Sequence, residues 1–325
     1  MEVVSGSLVK DKNVLLRYDL DVIVDGKIDD FRLKAGLPTL NLCLKNASKV
    51  IMMGHIGRPG GREVDSLSIA PIYQWFKENG FKEQLASGKF RLLENLRFEP
   101  GEDAASLEYA KNLASLGNFY VNEAFASYHP AASTTILPTL LPHAAGLRFV
   151  AEVAKLTEIR NNPKVPFIGI IGGAKIEDKL PVINALAEKA TAVLVGGKLA
   201  KIVHEESFNF PHHILAGHLR LDGLDIAPQT IEAWRPIIKG AKTIIWNGPV
   251  GKIEAGSAKG TSEIAKILLE TEAQVIIGGG DTVGFLNKAG FLKKFQEKGA
   301  FISSGGGAML EFLAKGTLPT IGVLD

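Results

Sequence analysis

The sequence predicts an α/β protein with two doubly wound parallel-sheet domains, joined by a hinge helix and facing each other across a cleft. Three observations carry that expectation. Short β-branched runs alternate with longer helical patterns along the chain. Its 325 residues are long for one core and comfortable for two. Three strand-like runs also turn through glycines directly into helix-like stretches, at Gly172-Gly173-Ala174-Lys175, Gly278-Gly279-Gly280-Asp281-Thr282 and Gly305-Gly306-Gly307.

The first series of strands is expected at Asn13–Arg17, Lys49–Met53, Phe90–Leu93 and Phe119–Val121, with helices near Arg32–Leu44, Ile69–Lys77 and Ala104–Leu116 between them. The second is expected at Phe167–Ile171, Ala192–Val195, Thr243–Trp246, Val275–Ile277 and Phe301–Ile302. Strands this apolar, interleaved with helices, imply parallel sheets covered on both faces. Right-handed crossovers then line up the strand C-termini along one edge, in the Rossmann-like manner. The run Val153, Leu156, Ile159 reads as a linking helix ended by Asn161-Asn162-Pro163. The expected organisation is therefore an N-terminal domain over 1–150, a linking helix over 151–163, a C-terminal domain over 164–310, and a tail over 311–325 returning to the first domain.

A strand that passes through glycines into a helix offers bare N–H groups and the positive end of the helix dipole to an anion. One such turn is weak evidence; three in one half of a chain point to a polyphosphate ligand. None has the spaced Gly-x-Gly-x-x-Gly pattern with an acidic residue some twenty positions on, which sets aside a dinucleotide-binding dehydrogenase.

The net charge of +2 gives no case for nucleic acid or a membrane surface as partner. Cys43 is the only cysteine, which excludes an intrachain disulfide and suits a reducing compartment. No run approaches the roughly 20 apolar residues of a membrane span, and the first residues lack signal-peptide character, so a soluble, cytoplasmic protein is expected. The stretch His204–His218 holds four of the seven histidines. Its aromatic residues and Pro211 read as a surface connection, with metal binding as the alternative.

Arginines and a histidine gather at the strand ends of the first half. They are Arg17 with Asp19 and Asp21, Arg32, His55 with Arg58 in Gly54-His55-Ile56-Gly57-Arg58-Pro59, Arg97 in Leu93-Glu94-Asn95-Leu96-Arg97-Phe98, and His129 after Asn122-Glu123-Ala124-Phe125. In a doubly wound domain these loops converge on one crevice. The planar fork of arginine suits phosphate and carboxylate, so a small anion carrying both is implied. One half shaped for a small anion and the other for a nucleotide suggests phosphoryl transfer, with Lys175 and Lys179 on one face if a helix begins at Lys175, and Asp281 placed for Mg²⁺.

These motifs, in this order, resemble those of the phosphoglycerate kinase family. The resemblance runs from about Leu15 to Leu324, and its remaining motifs are Trp246-Asn247-Gly248-Pro249-Val250-Gly251 and Ser304-Gly305-Gly306-Gly307-Ala308. It implies reversible, Mg²⁺-dependent phosphoryl transfer between 1,3-bisphosphoglycerate and ADP by a two-lobed enzyme, usually monomeric, that closes like a hinge. Asp19, Asp21, Arg32, His55, Arg58 and Arg97 would hold the phosphoglycerate. Arg32, Lys175, Gly305 and Gly306 would form the catalytic set. Gly173, Lys175, Lys179, Asn247, Glu254, Gly278, Gly279, Gly280, Asp281 and Thr282 would bind ATP or ADP, with Asp281 also on the metal.

The chain departs from the family pattern in several places. Pro130 follows His129 where the family has a substrate arginine. Arg148 replaces an apolar residue, as a compensating group or as a plain surface arginine. Asp21 replaces an asparagine, and Glu123 a usual aspartate from which little change is expected. Lys198 replaces a glycine, and the segment between Ala200 and Asp225 is some fifty residues shorter than the family's, which bears on the adenine pocket. Two alternatives therefore stay open: a non-catalytic nucleotide- or anion-binding protein on the same fold, and a kinase for another carboxylate or acyl phosphate.

Overall fold

The computed structural model describes residues 1–24, 26–173, 179–205 and 211–325. The chain forms two compact units, Met1–Ala154 with Thr317–Asp325, and Lys155–Gly316.

The first unit is built on a five-stranded parallel sheet. Its strands are β1 (Asn13–Arg17), β4 (Lys49–Met53), β5 (Phe90–Leu92), β6 (Phe119–Asn122) and β7 (His143–Ala145), in the order β5-β4-β1-β6-β7. A short antiparallel pair, β2 (Ile23–Val24) and β3 (Lys27–Ile28), follows β1. Four of the five β1 residues are buried, as expected of a strand covered by helices on both faces. On one side Phe76 packs edge-on against Tyr18, Trp75, Phe81 and Phe90, joining the helix Ala70–Phe76 to the sheet. The C-terminal segment belongs to this unit: Asp325 pairs with the N-terminal ammonium of Met1 at 3.1 Å.

The second unit carries a six-stranded parallel sheet: β8 (Phe167–Ile171), β9 (Ala192–Val195), β10 (Ile214–Ala216), β11 (Thr243–Asn247), β12 (Gln274–Gly278) and β13 (Phe301–Ile302). The order β10-β9-β8-β11-β12-β13 reverses direction between β8 and β11. That is the doubly wound arrangement, whose binding crevice lies beyond the strand C-termini at the switch point. The first sheet has the same kind of reversal, between β1 and β6. Strands β8 and β11 are buried along their whole length.

The α/β expectation with two parallel sheets holds. The sequence reading passed over β7, whose three residues His-Ala-Ala carry no β-branched signal, and β10, which lies in the histidine-rich stretch. It also passed over the β2–β3 pair. The linking element is the helix Leu147–Asn161, which begins before the expected residue 151 and carries the chain from one unit into the other. The helix Gly306–Lys315 runs past residue 310 and stays in the second unit. Among the described residues no helix is long and apolar enough to cross a membrane.

Candidate active site

In the first unit the functional side chains stand on the loops after β1, β4, β5 and β6, four neighbouring strands of one sheet. The loop after β4 is held from below by Asn95, which is 2% exposed. Its Oδ1 accepts the N–H groups of Ile56 (3.1 Å) and Arg97 (3.1 Å), and its Nδ2 donates to the carbonyls of Ile56 (2.8 Å) and Leu67 (3.0 Å). Asn95 therefore clips the segment carrying His55 and Arg58 to the turn carrying Arg97. Arg97 adds a bond from Nη1 to the Gly57 carbonyl (2.8 Å) and an ion pair from Nε to Asp103 (2.8 Å).

The aspartates of the β1 loop act on backbone and hydroxyl groups of the protein. Asp19 is nearly buried, and its two carboxylate oxygens take the Ala126 N–H (2.8 Å) and the Ser127 hydroxyl (2.7 Å), fixing the loop after β6. Asp21 accepts the Gly57 N–H at 3.0 Å, while its carbonyl takes Nη1 of Arg32 at 2.7 Å. The carboxylate of Asp21 thus steadies the β4 loop.

Arg17 turns inward and is 1% exposed. Its Nε donates to Ser133 Oγ (2.8 Å), Nη1 to the Tyr18 carbonyl (2.7 Å) and Nη2 to Nδ1 of His55 (2.8 Å). His55 is driven well below the ordinary histidine range, first by burial and then by Arg17, Arg97, Arg32 and Arg58. Arg97 and Asp21 both bond Gly57, and Arg32 bonds Asp21, so these loops lie side by side, and the guanidinium charges acting on His55 make a field that favours an anion. Arg58 is exposed and makes no ion pair among the described residues. Arg148 puts Nε and Nη2 on the buried Glu152 of its own helix, at 3.0 and 2.7 Å. His129 lies against Tyr128, ring centroids 4.1 Å apart, and Pro130 is exposed beside it.

In the second unit the ends of β8 and β11 are locked together. Gly172 N–H donates to the Asn247 carbonyl and Gly173 N–H to that of Pro249, each at 2.9 Å. The two backbones approach so closely that a Cβ on Gly172 would run into the Pro249 carbonyl, and one on Gly248 into that of Gly172. Lys179 donates from Nζ to the Gly172 carbonyl. It stands at the N-cap of the helix Leu180–Ala187, whose Pro181 suits the first turn; the expected helix start at Lys175 lies outside the described residues.

The ends of β12 and β13 meet the same junction. Gly279 has φ of +98°, which lets the chain turn from β12 into the helix Gly280–Lys288. Gly306 opens the helix Gly306–Lys315 directly against the backbone of Gly279, where a Cβ would collide. Buried Asn247 ties the two turns by donating from Nδ2 to the Gly306 carbonyl (3.2 Å). Thr282 is fully buried, and its Oγ1 accepts the Gly248 N–H at 2.9 Å; it is a brace between β11 and the Gly280–Lys288 helix. Asp281, one residue before it, is exposed on the first helical turn. Two helix N-termini, their glycine turns and Lys179 therefore gather beyond the strand ends, a setting suited to phosphate oxygens.

Glu254 is exposed on the turn Ile253–Ala255 and makes no hydrogen bond to another site residue among the described residues. The shortened segment returns to this region through Asp225. That buried carboxylate takes the Ile226 and Gly260 N–H groups, each at 2.9 Å, and the Lys252 N–H donates to the Leu224 carbonyl at 2.7 Å. His204 and His218 lie parallel, 5.0 Å apart, and both are exposed. Asn95, Glu102, Ser133 and Asp225 were not picked out as functional from sequence. Each acts through partners distant in the chain, and only Asn95 lies within a motif.

The family model described as phosphoglycerate kinase matches residues 4–208 and 214–316, breaking inside the shortened segment. Among curated relatives, phosphoglycerate kinase of Roseiflexus castenholzii is 35% identical over 384 aligned positions, covering 97% of this chain and 96% of that protein. That of Moorella thermoacetica is 33% identical over 381, covering 96% of each. These alignments are longer than this chain's 325 residues, so the relatives carry segments absent here. Among solved structures, phosphoglycerate kinase from Pyrococcus horikoshii OT3 superposes with a TM-score of 0.80 and that from Coxiella burnetii with 0.76. Both are 26% identical and cover 97% of this chain and 96% of theirs.

Proposed function

The chain belongs to the phosphoglycerate kinase family, and from that premise we propose which of its residues move a phosphoryl group between 1,3-bisphosphoglycerate and ADP. The observation that carries the assignment is the linked set of hydrogen bonds that puts Arg32, Arg97, Arg17 and His55 on neighbouring loops of the first unit, Arg97 and Asp21 both on Gly57, Arg32 on Asp21 and Arg17 on His55. In this reading the first unit binds the phosphoglycerate and the second the nucleotide.

Arg32, Arg58 and Arg97 hold the acid's phosphate and carboxylate by charge-assisted hydrogen bonds, with His55 as a neutral donor among them. Asp19, Asp21 and Asn95 hold the loops that present these groups. Because Arg148 is engaged with Glu152, the site works without a substitute for the family arginine lost at Pro130. On the nucleotide side, Lys179 and the turns at Gly173, Gly278–Gly280 and Gly305–Gly306 hold phosphates, Asn247 and Thr282 brace those turns, and Glu254 takes the ribose. Lys175 and Arg32 accompany the transferred group. Closure of the two units about the Leu147–Asn161 helix brings donor and acceptor into line and expels water, as this chemistry requires.

Asp281 offers a hard carboxylate oxygen at the mouth of a helix N-terminus, which suits Mg²⁺ held by one carboxylate and the substrate's phosphates. Bound there, Mg²⁺ supplies charge neutralisation on those phosphates. We take the protein to act as a cytoplasmic monomer.

A coupled assay of ATP-dependent 3-phosphoglycerate phosphorylation tests this reading. Lys175→Ala is expected to lower kcat by roughly two orders of magnitude or more. Arg58→Ala is expected to raise KM for 3-phosphoglycerate roughly ten- to a hundred-fold, the worth of one charge-assisted contact, and to leave KM for ATP unchanged. A wild-type protein that binds ATP by calorimetry and shows no turnover would shift the reading to a nucleotide-binding protein or a kinase for another acid.

A further inference from the structure

Behind His55 lies a chain of buried hydrogen bonds in which every donor is forced. Glu102 is 1% exposed and holds Ser133 twice, accepting its N–H at Oε2 (3.0 Å) and its hydroxyl at Oε1 (2.5 Å). A carboxylate can only accept, so the Ser133 proton points to Glu102 and the oxygen lone pair faces Arg17. Arg17 Nε donates into that lone pair, and Nη2 donates to Nδ1 of His55. A guanidinium can only donate, so Nδ1 accepts and the imidazole proton stands on Nε2. Nε2 makes no hydrogen bond within the described residues. Tyr120 holds the same segment from the other side, its hydroxyl donating to the Ser133 carbonyl at 2.9 Å.

We propose that Ser133 and Glu102 are positioning residues for the acid site: they pin Arg17, and through it present His55 as a neutral Nε2–H donor to the bound anion. Glu102 also balances the buried charge of Arg17, so the guanidinium keeps one arm for the imidazole. A histidine held this way gives an anion a directed hydrogen bond and stays in one protonation state across the physiological range. This inference rests on the assignment of the first unit to the acid substrate.

Two readouts on the full chain test it. Long-range ¹H–¹⁵N spectra report the His55 tautomer and its titration without any substrate, and steady-state kinetics report KM for 3-phosphoglycerate and for ATP separately. Wild type is expected to show the neutral Nε2–H form alone. Ser133→Ala is expected to populate the Nδ1–H or protonated form, and to raise KM for 3-phosphoglycerate about tenfold with KM for ATP unchanged, the loss of one aligned hydrogen bond. Ser133→Thr, which keeps the hydroxyl, is expected to restore both. Should Ser133→Ala fail to fold, Glu102→Gln keeps the side-chain shape and carries the same expectation. An Nδ1–H tautomer in wild type would overturn the proposal, as would a folded Ser133→Ala or Glu102→Gln protein with an unaltered His55 spectrum and unaltered KM. The spectrum is independent of turnover, so a wild type inactive on 3-phosphoglycerate counts against the functional assignment and not against the tautomer.

Discussion

The carboxylate of Glu123 accepts the backbone N–H of Arg148 at 3.1 Å and that of Phe149 at 3.3 Å, closing the first turn of the helix Leu147–Asn161. The helix that links the two units thus starts on a side chain from the end of β6, inside the first unit. Gly146 lacks a side chain where Glu123 lies; a Cβ there would collide with the carboxylate. Burial pushes the Glu123 carboxyl up to about 8, against the opposing pull of Thr39, Arg148 and Phe149.

That shift makes stability depend on pH. An acid whose folded-state pKa lies above its unfolded value, here ordinarily about 4.5, contributes fully at low pH. Its contribution falls as pH rises through that interval and is gone above about 8. Wild type is therefore expected to lose stability between about pH 5 and pH 8 relative to Glu123→Gln, by a few kcal/mol. Urea unfolding of both proteins across this range checks it; parallel pH curves would refute the burial argument.

Gly306 and Gly279 touch backbone to backbone, so Gly306→Ala is expected to force the two glycine turns apart. Overpacking of this kind costs about 1–3 kcal/mol of stability. The KM for ATP should rise at least about tenfold, because the donors aimed at one ligand no longer align. The KM for 3-phosphoglycerate should stay as it was. Equal damage to both constants would mean that the contact serves the fold alone.

Asn95→Ala removes four hydrogen bonds at once from a buried site. At roughly 1–3 kcal/mol for each buried group left unsatisfied, a loss above about 3 kcal/mol is expected. The loop bearing His55 and Arg58 is released with it, so KM for 3-phosphoglycerate should rise. Asn95→Asp keeps the acceptor but gives up the two donations to carbonyls, and should not rescue. Thermal unfolding and the coupled assay on both variants decide the matter.

Cys43 is fully buried in the helix Leu37–Asn46, and burial pushes its thiol up to about 12, so it acts as a small apolar side chain.

The sequence alone determined the alternation of strands and helices, the parallel sheets and the glycine turns, because those follow from local forces: apolar runs that must be covered, and backbone angles or close approaches that only glycine allows. It marked the candidate arginines too, as charged forks at the ends of buried strands. What each candidate side chain touches was decided by tertiary structure. Arg17 reads like its neighbours in sequence, yet it turns inward to Ser133, 116 residues away. Thr282 reads as a phosphate ligand, yet it is buried under Gly248, 34 residues away. Ser133 and Glu102, 31 residues apart, carry no motif that sets them off from ordinary surface residues. A hydrogen bond needs its partners within about 3 Å in a set orientation, and only the folded chain fixes which distant groups meet at that range.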